Sequence, residues 1–157
     1  VADMPRHVRW QMQYAIGELR RSERFRAIEA SVAKLESLDR LDDVFTPDAF
    51  VDYTAMGGER GAYPAIKRFL QSALPALVDY YHLVGNVQIQ LDGDRASGRV
   101  MCFNPLGVPV PGKPAHMMFL GLYYIDEYLR TPQGWRISRR VEERCWGHNV
   151  PAGMNAG

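Results

Sequence analysis

Apolar side chains recur at steps of three and four through the first third of the chain and at steps of two through most of the rest. Val8, Trp10, Tyr14 and Leu19 give the stretch from His7 to Glu23 a loose helical spacing. Ser22 is a candidate cap for a second helical segment, whose stripe runs Phe25, Ile28, Val32, Leu35, Leu38, Leu41 and Phe45 and ends near Thr46-Pro47. A short alternating run, Ala49 to Thr54, predicts a strand rich in aromatic and β-branched residues, closed by a loop at Gly57-Gly58-Glu59-Arg60-Gly61. Pro64 suits the first turn of a further helix, where its missing N–H costs nothing. Ile66, Phe69, Leu70, Leu74 and Leu77 supply that helix with a buried side, and Pro75 should kink or end it.

From Tyr81 onward the pattern predicts four successive strands: His82 to Leu91, Ser97 to Asn104, His116 to Leu129 and Trp135 to Trp146. Asp92-Gly93-Asp94 and Thr131-Pro132-Gln133-Gly134 are turn chemistry, so neighbouring strands pair antiparallel. The proline-rich stretch from Pro105 to Pro114 reads as a loop over a pocket mouth. Helices first and a long meander afterwards describe an α+β domain: a curved antiparallel sheet packed against N-terminal helices, with a hollow between them.

Length and charge narrow the function. A chain of 157 residues suits a single domain, with residues 1–24 as an N-terminal helical extension and 150–157 as a C-terminal tail. A net charge of +1 gives no global field toward nucleic acid or an anionic membrane. Arg20, Arg21, Arg24 and Arg26 read as the solvated side of a helix, because Phe25 interrupts them. Lacking an apolar run of about 20 residues and a leader-like start, the chain is expected in the cytoplasm. Cys102 and Cys145 fall on strands and are expected as buried, reduced thiols. The Cys145-x-x-His148 pair lacks the second pair that structural zinc needs. The glycine loop at 57–61 lacks a phosphate-binding ending, and no Gly-x-Ser-x-Gly elbow occurs. The expected ligand is a small hydrophobic molecule, with no metal or cofactor.

Phe45-Thr-Pro-Asp-Ala, Val51-Asp-Tyr-Thr, the Gly57-Gly58 loop, Tyr81-His82-Leu-Val-Gly-Asn86 and the hairpin around Trp135 together resemble the SnoaL-like family. That family includes scytalone dehydratase and belongs to the superfamily named for nuclear transport factor 2. The likeness runs from Ala27 to Trp146. It implies a cone-shaped sheet with an interior cavity and a homo-oligomer, dimer or trimer. It also implies catalytic roles for Tyr53 and His82, which match the family's pocket tyrosine and histidine. An imidazole can shuttle a proton, and a phenol can hydrogen-bond a developing enolate oxygen.

The resemblance has departures. Lys34 stands where relatives keep an Asp that orients the histidine, Leu106 near a second pocket His, and Tyr124 near a pocket Asn; Arg144 matches a late-strand Arg of bile-acid dehydratases. Either the registration shifts in the first helix, or the chain uses other partners, or it only binds. Period two puts His116, Met118, Leu120, Leu122 and Tyr124 on one face, and Met101 and Phe103 are further candidates for the lining. The expected activity is a cofactor-independent lyase or isomerase acting next to a carbonyl on a cyclic substrate such as a polyketide or steroid. The alternatives are a binding protein of the same fold and the small subunit of a ring-hydroxylating oxygenase.

Overall fold

The computed structural model describes residues 38–151, so the helices expected before Leu38, the arginine cluster, Lys34 and residues 152–157 of the C-terminal tail lie outside the described residues. The elements are a 3₁₀ turn at Leu38–Asp43, β1 (Phe45–Asp52), β2 (Arg60–Ala62), α1 (Tyr63–Ala73), β3 (Asp79–Tyr80), β4 (Leu83–Asp92), β5 (Arg95–Val108), β6 (His116–Thr131) and β7 (Gly134–His148). They form a curled half-barrel sheet in the order β2-β1-β7-β6-β5-β3, with β4 also paired to β5.

The late strands alternate and pair as the pattern predicts. Gly93 takes a φ of 56° in the β4–β5 turn, a conformation other residues adopt only with strain. Three features depart from expectation. β1 runs parallel to β7, so the sheet is mixed. Its pairing slips between Phe45 and Phe50, and Pro47 lies in that slip, where a residue without an N–H is tolerated. Phe45 therefore begins a strand instead of ending a helical stripe. Second, Pro105 belongs to β5: its carbonyl accepts from the Tyr81 N–H at 3.1 Å and it pairs with Phe119. The loop shrinks to residues 109–115. Third, the loop after β1 is a tight hairpin, Arg60–Ala62 pairing back onto β1.

α1 starts with Pro64 in its first turn and buries Tyr63 and Ile66. These pack with Val44, Phe45, Ala49, Val51, Ile89, Ala96, Tyr128 and Ile137 in one core cluster. The sheet face carrying Val51, Ala96 and Tyr128 is therefore the helix-bearing face. A second cluster, Val100, Cys102, Leu122 and Tyr124, continues along it, and Tyr53 packs against both. Cys102 is buried as expected, whereas Cys145 is exposed, at the bulge where β7 slips against Gly121 and Leu122. Among the described residues no helix is long and apolar enough to cross a membrane.

The 3₁₀ turn is fastened to α1 through Asp42, which accepts from the Tyr63 hydroxyl at 2.7 Å and from Lys67 at 2.9 and 3.0 Å. These donors hold its carboxyl below the usual carboxylate range, the Tyr63 hydrogen bond contributing most. Asp42→Ala is expected to cost about 1 kcal/mol, a modest loss because the carboxylate is largely exposed. A lowered acid pKa contributes stability above the unfolded value that is lost as the pH falls through the folded one. The variant's deficit should accordingly shrink in acid, which urea melts at pH 7 and pH 3 will measure.

Candidate active site

Four strands bring polar side chains onto the helix-bearing face. Between two slips in its register, the pairing of β6 with β7 sets Tyr124 opposite Glu142, Asp126 opposite Arg140 and Leu122 opposite Arg144. Because side chains alternate, Arg140, Glu142 and Arg144 share this face. Asp126 is wholly buried and holds Arg140 at 2.8 and 2.7 Å in a two-pronged pair, and it also accepts from the Tyr128 hydroxyl at 2.9 Å. A second glycine matters here: a Cβ on Gly98 would come within 2.8 Å of the Tyr128 ring, so only glycine lets that ring reach across to Asp126. The guanidinium lies 4.0 Å from the centre of the Tyr124 ring. A cation anchored this way presents fixed positive charge to its neighbours.

Tyr53 is one of those neighbours. It follows β1, and its backbone is gripped from three sides: its N–H donates to the Glu59 carbonyl at 2.9 Å, while its carbonyl accepts from Gly58 at 2.9 Å and Met56 at 3.1 Å. Gly57 turns the chain with a φ of 82°, and Gly58 packs so closely on Tyr53 that a Cβ would sit 2.8 Å from its own. Burial pushes the phenol up to about 12, although Arg140 draws it down by its charge and by a hydrogen bond. Burial thus keeps Tyr53 a neutral phenol, and the nearby Arg140 charge opposes that effect only in part.

His82 lies in the two-residue break between β3 and β4. Tyr80 pairs with Leu106 and Leu83 with Phe103, so the antiparallel count places His82 opposite Asn104 on the helix-bearing face. Its ring meets Tyr80 edge-on at 6.5 Å. Burial lowers the imidazole to about 4, with the Arg140 charge adding to the effect, so it is neutral at physiological pH. Among the described residues no carboxylate bonds it.

Glu142 is a chemical group that the sequence reading missed. Its Oε2 is buried with no hydrogen-bond partner among the described residues, and burial raises the carboxyl to about 8 despite the Arg140 charge. It therefore stays protonated at neutral pH. Arg140, Asp126 and Glu142 were hidden among the many charges of β6 and β7. Only the register separates Arg140 and Glu142 from Arg139 and Glu143 on the other side, although the period-two series through Leu122 and Tyr124 extends directly to Asp126.

The remaining candidates divide between the faces. Met118 and Tyr124 are buried on the helix-bearing side, and Arg144 is half-buried there. His116 shares their parity but is exposed at the strand end, its Nε2 2.5 Å from the Asn149 carbonyl. Phe103 does not line this face. One residue out of phase with Cys102, it lies on the outer side, stacked with Phe119 and with Trp146, and Met101 shares its parity. The Cys102 thiol is pushed up to about 11 by burial, which leaves it protonated. Among the described residues no cluster of three or more metal-ligating side chains forms.

Two outcomes test this arrangement. Asp126→Ala strands the buried guanidinium and should cost about 3–5 kcal/mol in chemical denaturation. For Glu142, a folded value near 8 against 4.5 unfolded means that the fold keeps a proton which the unfolded chain releases. Stability conferred by this group therefore falls as the pH rises between those values. Glu142→Gln removes that loss, so the melting temperature of the variant should gain on wild type steadily from pH 5 to pH 8.

Comparison with known proteins agrees with this architecture. The SnoaL-like domain family matches residues 33–141. An uncharacterized protein of Mycobacterium tuberculosis is 50% identical over 108 residues, spanning 69% of this chain and 72% of its own. A Novosphingobium aromaticivorans structure assigned as a scytalone dehydratase superposes with a TM-score of 0.71 at 18% identity, covering 88% of this chain and 91% of that one. A hexachlorocyclohexane dehydrochlorinase from Novosphingobium barchaimii gives 0.66 at 20% identity, covering 89% and 90%. At such identities the two structures share the cone-shaped α+β fold with this chain.

Proposed function

The chain belongs to the SnoaL-like domain family, and from that membership and the geometry of Tyr53, His82 and Arg140 we propose that it is a cofactor-independent lyase or isomerase. It acts next to a carbonyl on a small, hydrophobic, cyclic molecule of polyketide or steroid type. The observation that carries the reading is the register that sets His82 on the helix-bearing face, where Tyr53 packs against both core clusters and Asp126 anchors Arg140.

In this reading His82 takes a proton from the carbon beside the carbonyl. Tyr53 donates its O–H to the carbonyl oxygen as negative charge develops there, and Arg140 strengthens that donor in a setting of low polarity. For an isomerase the imidazolium returns the proton to another carbon. For a dehydratase, the adjacent C–O bond breaks as the double bond forms, and Glu142 supplies the proton with which hydroxide leaves as water. The names of the structural neighbours, a dehydratase and a dehydrochlorinase, favour elimination.

A binding protein of the same fold is the second reading. It is favoured by the lowered His82 basicity and by the absence of a carboxylate bonded to this ring among the described residues.

Water loss from hydroxylated cyclic ketones, followed by ultraviolet absorbance, separates the two. His82→Ala should lower kcat at least 10³-fold with the fold and ligand binding preserved, and Tyr53→Phe about 10²-fold. Turnover by wild type should follow a bell in pH, with its acid limb near 4 from His82 and its alkaline limb near 8 from Glu142. Undiminished activity in His82→Ala removes the mechanism.

A further inference from the structure

Asn104 carries no role in the chemistry above, yet its environment is unusual. It stands on β5, only 7% exposed, and its Oδ1 is buried with no hydrogen-bond partner among the described residues. On β6 it is paired with Leu120, which is buried, and Cys102 and Leu106 flank it on the same face of its own strand. On the other edge of β5 its antiparallel position is that of His82, because Tyr81 bonds Pro105 and Leu83 pairs with Phe103. An amide carbonyl enclosed by apolar side chains is costly when nothing donates to it, and a leucine of similar shape would fill the space without that cost. Such a group is retained at the expense of stability where a ligand completes it.

We propose that Asn104 is a ligand-binding residue, whose side-chain amide accepts a hydrogen bond from a hydroxyl of an uncharged, otherwise apolar ligand and seats that ligand against His82. The inference rests on the proposed function only in locating the ligand beside this imidazole. It adds a discriminating contact to that site. The groups around Asn104 set the class of ligand: among the described residues, His82 opposite it is uncharged at neutral pH and Cys102 and Leu120 beside it are buried, so a hydroxyl on an apolar skeleton suits this position better than an ion. A hydroxyl donor on a fused-ring skeleton satisfies Oδ1, and the rings pack against Leu106, which is half-buried on the same face. A site built around one hydrogen bond discriminates strongly against the analogue that lacks it, because the protein group is then left buried and unpaired.

Isothermal titration of the wild-type chain with 5-hydroxy-1-tetralone and with 1-tetralone tests the contact. The hydroxylated ketone should bind at least ten-fold more tightly, and Asn104→Leu and Asn104→Ala should each bind the two ketones equally. The preference should persist in His82→Ala, which assigns it to the amide independently of whether the imidazole is catalytic. Asn104→Leu should also melt no lower than wild type, since it removes an unpaired polar group and keeps the space filled. A wild-type chain that does not discriminate between the ketones, binding of neither included, overturns the proposal. So does a lower melting temperature for Asn104→Leu, which would mean that the amide serves the fold.

Discussion

The ion pair between Asp126 and Arg140 is the interaction on which the interior is arranged. Two charges withdrawn from water are tolerable only when they meet in good geometry with their remaining valences filled. Here both prongs of the guanidinium reach the carboxylate, and the Tyr128 hydroxyl takes a further share of it. Once fixed, the cation governs its surroundings. Its charge partly offsets the effect of burial on the Tyr53 phenol, it lies over the Tyr124 ring, and it adds to the burial that keeps His82 uncharged. Glu142, two residues along the same strand, feels it too, but desolvation prevails and the carboxyl keeps its proton. Among the described residues, the outcome is a face on which a buried ion pair has the neutral Tyr53, His82 and Glu142 around it, with the half-buried Arg144 farther along β7.

Much of this architecture is legible in the alternation of side chains. The four long strands, the turn at Gly93 and the start of α1 at Pro64 all follow from local rules of period and turn chemistry. What local rules miss is what distant segments decide. Pro105 reads as loop punctuation, yet β3 and β6 flank it and draw it into the sheet. Phe45 continues a helical spacing, but β7, some 90 positions later, recruits it as a strand. Parallel pairing of β1 with β7 has no signature in either segment alone.

The same limit explains the uneven view of the site. His82 and Tyr53 were visible through a family likeness, because they occupy recognisable short motifs. Arg140, Glu142 and Asn104 were not, since a charged or amide residue on a strand faces inward or outward according to register, and register is a property of the assembled sheet. Phe103 shows the reverse error. An aromatic residue in a strand looks like lining until its neighbour Cys102 is found to take the inner side.

Joining the first described strand to the last also sets the order in which the molecule can be assembled. Arg140 belongs to the final strand, and β1 has no partner but the short β2 until that strand arrives. Contacts so far apart in the chain form late, after most of the loop-closure entropy has been lost. During synthesis on a ribosome, Asp126 would emerge before its counter-ion, so its carboxylate must remain hydrated and the sheet around it open. Among the described strands, β7 is the one that joins two edges at once, with β1 on one side and β6 on the other.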